Sequence, residues 1–239
     1  MDGQLHKLPS SLKSLFTKQP PFSKPLFIAG LKEFFTPQKI CEDESLFDFV
    51  SRRFGPDVAQ YAIDPMVRGI CAGNAREISA KSFVAGPLFN LEQNYGSIFR
   101  GMAKRKIRGE SPKNPDSKSE LVKKIRAEKW NVWSLEGGLE TLTETLAKKL
   151  RNDGIEIRME SKIPDDIPFG PDFTIWSTPA FETAKYMENE DLKSVLNSIP
   201  YVDVAVINFL FKNESLVQDP AFGFLVPSNQ KQVPILGNY

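Results

Sequence analysis

Apolar residues in this chain change their spacing partway along, and that change limits the available folds more than any other feature. In "DESLFDFVSRRFG", Leu46, Phe47, Phe49 and Val50 fall on one helical stripe, with Asp43 or Glu44 at its start and Gly55 as its stop. "PDVAQYAIDPMVRGI" repeats the helical pattern with Pro56 in the first turn and runs as far as Pro65. Earlier, "LPSSLKSLF" predicts a short helix capped by Ser10. "KPLFIAGLKEFF" predicts another, with Leu26, Phe27, Ala29, Gly30 and Phe34 at helical spacing. The block up to residue 100 is therefore expected to be mainly helical. Beyond residue 130 the pattern differs. "LETLTETLAKKL" predicts a helix packing Leu139, Leu142, Leu146 and Leu150 inward. Asp153-Gly154 ends it, and "IEIRM" then alternates as a strand does. "FTIWSTP" and "YVDVAVINFLF", with Val202, Val204 and Val206, predict further strands, and "FGFLVPS…VPILGNY" predicts two short ones around a loop. Helix–turn–strand order places the chain in the α/β (α+β) class. Its apolar ending predicts a polypeptide that continues past Tyr239.

Composition removes several functions. Thirty-one Lys and Arg against 30 Asp and Glu leave no global field for nucleic acid. A single histidine, His6, speaks against a His-based metal site or a Ser-His triad. Two cysteines, Cys41 and Cys71, make no disulfide framework and point to a reducing compartment. No apolar run reaches the roughly 18 residues needed to span a bilayer, and the N-terminus does not read as a signal peptide. Residues 100–129 are strongly charged, and "GESPKNPDSKS" has the composition of a disordered loop. The basic run there reads either as a solvated hinge or as a contact for anionic lipid or an acidic partner.

Generic catalytic motifs are missing: there is no GxGxxG, GxxxxGK[ST], HExxH or CxxC. More specific combinations remain. "WSLEGGLETLTETLAKKL" sets a double glycine before a helix, which permits close backbone approach to a neighbour, and ordinary helix–strand packing explains it equally well. "DPMVRGICAGNAREIS", residues 64–79, concentrates glycines and small residues beside two arginines, more than a connector needs.

Together these stretches resemble the flavin-dependent amine oxidase superfamily: the Gly-Gly-Leu helix, the "GIEIRMESKI" strand and the "IWSTP" turn. "LHKLPSSLKSLF", "SRRFGPDVAQYAIDPMVRGICAGNAREIS" and "FGFLVPS" are similar to its porphyrinogen-oxidising branch, from the first residues to the last. The family's Rossmann glycine loop and its C-terminal flavin segment have no counterpart, so the chain resembles a middle half. The resemblance implies an oxygen-dependent oxidation of protoporphyrinogen IX to protoporphyrin IX with FAD, in which the cofactor does the chemistry and the protein supplies position and a dry pocket. The alternative is a non-catalytic remnant that binds porphyrin or a partner without flavin; a helical scaffold is a third reading.

The implied organisation is a mainly helical, membrane-associating and substrate-side domain (residues 1–105), a charged connector (106–129), part of the FAD-binding domain (130–180) and part of a mixed-sheet substrate domain (181–239). The resemblance also implies site residues. Gly69 lies against the flat substrate, with Ala72 and Gly73 beneath it in a helix-ending turn. Phe222 and Leu225 sandwich a pyrrole ring, and Leu236 assists. Arg68 is either a propionate partner or half of a structural ion pair. Ile163 lies along the flavin's adenosine part, and Thr178 and Pro179 approach the cofactor. Implied partners are the porphyrinogen, molecular oxygen, a second copy in a homodimer and, as a peripheral protein, the inner mitochondrial membrane. Phe22, Leu26, Phe27, Phe34 and Phe35, beside Lys24 and Lys32, suit that membrane role; core packing explains them equally.

Overall fold

The computed structural model describes residues 4–9, 11–83, 85–109, 119–130, 132–161, 173–210, 212, 223–233 and 235–238. The chain forms two compact units. One comprises residues 1–111 and 200–239, the other residues 112–199.

The first unit is mostly helical: α1 (Leu12–Leu15), α2 (Leu26–Phe35), α3 (Leu46–Phe54), α4 (Pro56–Val58), a π-helical turn (Ala59–Ile63), α5 (Asp64–Cys71), α6 (Gly86–Tyr95) and α7 (Ile98–Ile107). The helices expected from sequence at α1, α2, α3 and α4–α5 form, with different boundaries, while α7 runs into the stretch expected to be a charged connector. The cap of α1 is Ser11, which exchanges hydrogen bonds with Ser14. Ser45, not Asp43 or Glu44, caps α3: its hydroxyl accepts the Asp48 N–H at 3.1 Å. The helix expected to stop before Pro65 continues through it. The π turn widens the backbone, and Pro65 then falls in the first turn of α5, where its missing N–H costs nothing. α5 ends at Ala72 in the left-handed conformation.

The core gathers around α3. Leu46 and Phe49 are fully buried, with Phe89 of α6 at 5.7 Å from Phe49, and Val67 of α5 and Ile98 of α7 close the same cluster. Residues 75–80 run back along the start of α3: the Leu46 N–H donates to the Ile78 carbonyl, the Phe47 N–H to Ala75 and the Ala80 N–H to Glu44. The Arg76 guanidinium covers the Phe47 ring at 3.5 Å. The only strands among the described residues are β1 (Phe224–Leu225) and β2 (Gly237–Asn238), an antiparallel pair in which Leu225 faces Gly237. This is the short C-terminal pair that the sequence predicts.

The second unit holds α8 (Glu120–Glu128), α9 (Glu140–Asn152), α10 (Ala180–Ala184) and α11 (Glu190–Asn197). α10 packs on α11, and Trp176 stacks on Tyr186 at 5.4 Å. α8 stands within the stretch expected to be a flexible connector; most of "GESPKNPDSKS" lies outside the described residues.

Two expectations are corrected. "IEIRM", "FTIWSTP" and "YVDVAVINFL" form no strands. Alternation marks a strand's two faces, but a ladder needs a neighbour, and none lies beside these segments among the described residues. Nor does α9 bury its leucines: Leu139, Leu142 and Leu146 are more than half exposed, because no layer in its unit covers that face among the described residues. The chain is thus a mixed, predominantly helical structure with few strands.

Candidate functional site

α5 and the β1–β2 hairpin bring most of the expected substrate-side residues together, and two side chains one helical turn apart join them. Asp64 accepts the Ser228 N–H at 2.6 Å and the Gln60 side-chain amide at 3.2 Å. Arg68 donates from Nη1 to the Val226 carbonyl at 2.9 Å. An acid and an arginine at i and i+4 share a helix face, so this pair grips the backbone of the hairpin arm at two points. The Val226 N–H in turn donates to Leu236 at 2.9 Å. Gly69 lies next to the grip, within α5, while Leu225 and Leu236 sit half-buried on the hairpin. Gly237 is required there: a Cβ would meet the Phe224 carbonyl oxygen at 2.7 Å and Leu225 Cδ2 at 2.9 Å.

Several expectations change. Arg68 bonds a backbone carbonyl, which is neither of the two roles foreseen for it. Gly69 lies in the last turn of α5, which Ala72 closes in the left-handed conformation. Gly73 does not open onto a ligand: a Cβ there would lie 2.5 Å from Ile78 Cδ1 and 3.1 Å from Cys71 Sγ, so protein fills the space. Phe222 and Ile163 lie outside the described residues. In the second unit, exposed Thr178 shares a hydroxyl–hydroxyl bond of 2.8 Å with Thr183, and Pro179 starts α10. These two contacts close a helix end and leave Thr178 and Pro179 at the surface of their unit.

Next to the N-terminal end of α5 lies an apolar cavity of about 270 Å³, with Phe49, Phe54, Val58, Ile63 and Met66 among its walls. Phe54 and Val58 also line a second cavity of about 330 Å³, which reaches Lys24, Lys32 and Asp57.

The helices of this unit also carry a charge network that sequence reasoning missed. Arg53, fully buried, donates to the Glu33 carboxylate and, at 3.2 Å, to Glu92. Arg52 donates to Glu92 at 2.7 Å and to Glu44 at 2.5 Å. Glu33 further accepts the Ile98 N–H at 2.7 Å and the Ser97 hydroxyl at 2.9 Å. Burial pushes the Glu33 carboxyl up, but the Arg53 hydrogen bond, those from Ile98 and Ser97 and the Arg53 charge hold it below its ordinary value. Burial likewise opposes the charge on Arg52, and its bonds to Glu92 and Glu44 more than restore it. The available signal was the Arg52-Arg53 pair on an otherwise apolar helix. The Asp64–Arg68 spacing in "DPMVR" was the signal for the hairpin grip.

Comparison with known proteins bears on this arrangement. A family described as flavin containing amine oxidoreductase matches residues 2–163. A protein named protoporphyrinogen oxidase from Bos taurus is 37% identical, covering 98% of this chain and 51% of its own length. Its Homo sapiens namesake is 35% identical over 95% of this chain and 50% of its own length. A Nicotiana tabacum protein named protoporphyrinogen oxidase, mitochondrial, is 33% identical over 79% of this chain and 42% of its own. The chain spans about half the length of the curated relatives it matches most fully.

Proposed function

The chain belongs to the flavin containing amine oxidoreductase family, and from that premise we propose that it serves the oxygen-dependent oxidation of protoporphyrinogen IX to protoporphyrin IX in an FAD enzyme. The supporting observation is the identity to proteins of that name along nearly the whole chain.

In this reading the α5–hairpin corner is one wall of the substrate pocket. Gly69, lacking a side chain, allows the tetrapyrrole face to approach α5. Leu225 and Leu236, with Phe222, form the apolar surface that a flat ring needs. Arg68 and Asp64 are positioning residues: they hold the hairpin backbone at Val226 and Ser228 and thereby set the place of Leu225. Bound FAD would supply the hydride-accepting chemistry. The described residues fit only an edge of a flavin site. No strand–glycine loop–helix cradle for a pyrophosphate occurs among them. Ile163, Thr178 and Pro179 would contribute at that edge, and no chemical step is assigned to them. A second reading is that this chain binds porphyrin without turning it over. The finer organisation proposed is a helical substrate- and membrane-side domain with parts of an FAD-binding and a sheet domain, in a homodimeric peripheral protein of the inner mitochondrial membrane.

An absorbance scan of the purified chain distinguishes the two readings. Bands of an oxidised flavin, with aerobic porphyrin fluorescence rising faster than the substrate's own autoxidation and abolished by Gly69→Arg, support the oxidase. Porphyrin binding without flavin bands supports the second. Binding that Gly69→Arg leaves unchanged rejects the pocket in both.

A further inference from the structure

Two cavities of the first unit lie outside the proposed substrate wall: among the described residues, none of Gly69, Leu225 and Leu236 lines either of them. They differ in chemistry. The cavity of about 270 Å³ is walled by apolar side chains alone. Leu46 and Phe49 there are fully buried, and Val50 and Ala85 nearly so. A water molecule inside would find none of the roughly two to four polar partners that hold a buried water, so the space suits hydrocarbon. The cavity of about 330 Å³ has an apolar side, formed by Phe22, Leu26, Ala29 and Phe54, and a charged side with Lys24, Lys32 and Asp57. Phe22 is buried against Tyr61 and belongs to the interior.

Phe54 of α3 and Val58 of α4 line both cavities, so a chain entering the charged one meets the apolar one across these two side chains. Singly, each cavity stands near the lower limit of ligand pockets, roughly 300 Å³; taken together they fall inside that class.

Charge decides what the head of such a molecule must be. The Lys32 ammonium donates to the Ser51 carbonyl at 3.0 Å and stands beside Gly55, where a Cβ would come within 3.9 Å of it. One of its three N–H donors is thereby used and two remain. Lys24, exposed, adds a second cation. Asp57 is engaged by Ser23: its Oδ2 accepts the Ser23 N–H at 2.7 Å and the Ser23 hydroxyl. Two cations against one carboxylate leave a single positive charge. A monocarboxylate balances it, whereas a phosphate monoester, with close to two negative charges, would exceed it.

We propose that the two cavities form one binding site for a long-chain monocarboxylate, its head at Lys24 and Lys32 and its chain passing Phe54 and Val58 into the apolar cavity. The site does not depend on the porphyrin reading and adds a second ligand class to this unit.

The test is calorimetric titration of the 239-residue chain with octanoate, decanoate and dodecanoate, each below its micelle concentration and without vesicles. Affinity should rise about fourfold for each CH₂ added. Dodecanol, which has the chain without the charge, should bind about tenfold more weakly than dodecanoate, and Lys24→Gln with Lys32→Gln should weaken dodecanoate by a similar factor. Val58→Phe narrows the passage and should remove the gain from octanoate to dodecanoate while octanoate binds as before. The dodecanoate–dodecanol comparison uses the unaltered chain, so a folding defect cannot imitate it. Affinity that does not grow with chain length, or a gain that survives Val58→Phe, overturns the extended site. Dodecanol binding as tightly as dodecanoate overturns the charged head contact. Competitive displacement of dodecanoate by protoporphyrin overturns a separate site and returns both cavities to the substrate pocket.

Discussion

α3 and α9 carry the same kind of sequence signal and meet opposite fates. Both are amphipathic, with leucine or phenylalanine recurring at helical spacing. In α3, Leu46 and Phe49 are fully buried and Val50 nearly so; in α9, Leu139, Leu142 and Leu146 are more than half exposed and no residue is buried. The difference lies outside either helix. α3 sits between α2, α6 and the 75–80 segment, and its arginines reach acids on two neighbours. Among the described residues, α9 meets no comparable layer within its unit. Periodicity specifies which face of a helix is apolar, but only tertiary contacts decide whether that face becomes core.

The sharpest way to break the contrast is to remove what fastens α3. Arg53→Met leaves Glu33 and Glu92 as buried carboxylates with one cation fewer, and is expected to cost the first unit about 3–5 kcal/mol in urea unfolding. The second unit should unfold as before. A loss under about 1 kcal/mol would mean that packing around Phe49 and Phe89 fastens the helix alone. The Nε of Arg53 finds no partner among the described residues.

At the hairpin, the same question has a smaller answer. Arg68→Ala removes the charged donor from the Val226 carbonyl, at an expected cost of about 1.5–3 kcal/mol. The site reading adds a second expectation. Porphyrin affinity should fall beyond the loss of stability, because Leu225 is no longer held. Unchanged porphyrin binding would make the Asp64–Arg68 grip a purely architectural feature.

Acid tests the network from another side. The Glu33 carboxyl titrates below its ordinary range when folded, so its contribution is fully present above that range and is lost as pH falls through the depressed value. The first unit should therefore weaken in acid. In Glu33→Gln, destabilised at neutral pH, the slope should be shallower. Parallel curves would show that other carboxylates carry the dependence.

What could be read in advance follows the distance over which each feature is specified. α2 and α3 each carry their own apolar period, so local sequence sufficed for them, whereas α7 runs into the charged stretch read as a hinge and was not foreseen. The cap of α3 was misassigned because Asp43, Glu44 and Ser45 are adjacent and only backbone conformation selects among them. The bond from Arg53 to Glu33 joins residues far apart in sequence, and no spacing rule marks it. "YVDVAVINFL" shows the converse: strong alternation without a ladder, because strand pairing is decided by a neighbour and not by the segment itself. At the site, the small residues of "RGICAG" were visible as a group, yet only geometry shows that Gly73 is enclosed by Ile78 and Cys71. Arg68 was conspicuous for its charge, but its acceptor is a carbonyl 158 residues away, a partner with no sequence signature at all.

The smallest expected effect returns to α9. Leu142→Gln replaces an exposed leucine with a residue of similar helix propensity. Stability of the second unit should change by no more than about 0.5 kcal/mol, whereas Leu46→Gln in α3 would place an amide in a closed apolar cluster. The paired substitutions hold side-chain chemistry constant and vary only the surroundings. If Leu142→Gln instead costs as much as its counterpart in α3, the leucine face of α9 is covered in solution and the two helices are alike after all. A null effect there, beside a large one in α3, means that the stripe of α9 is an unsatisfied surface, available to whatever layer completes that unit.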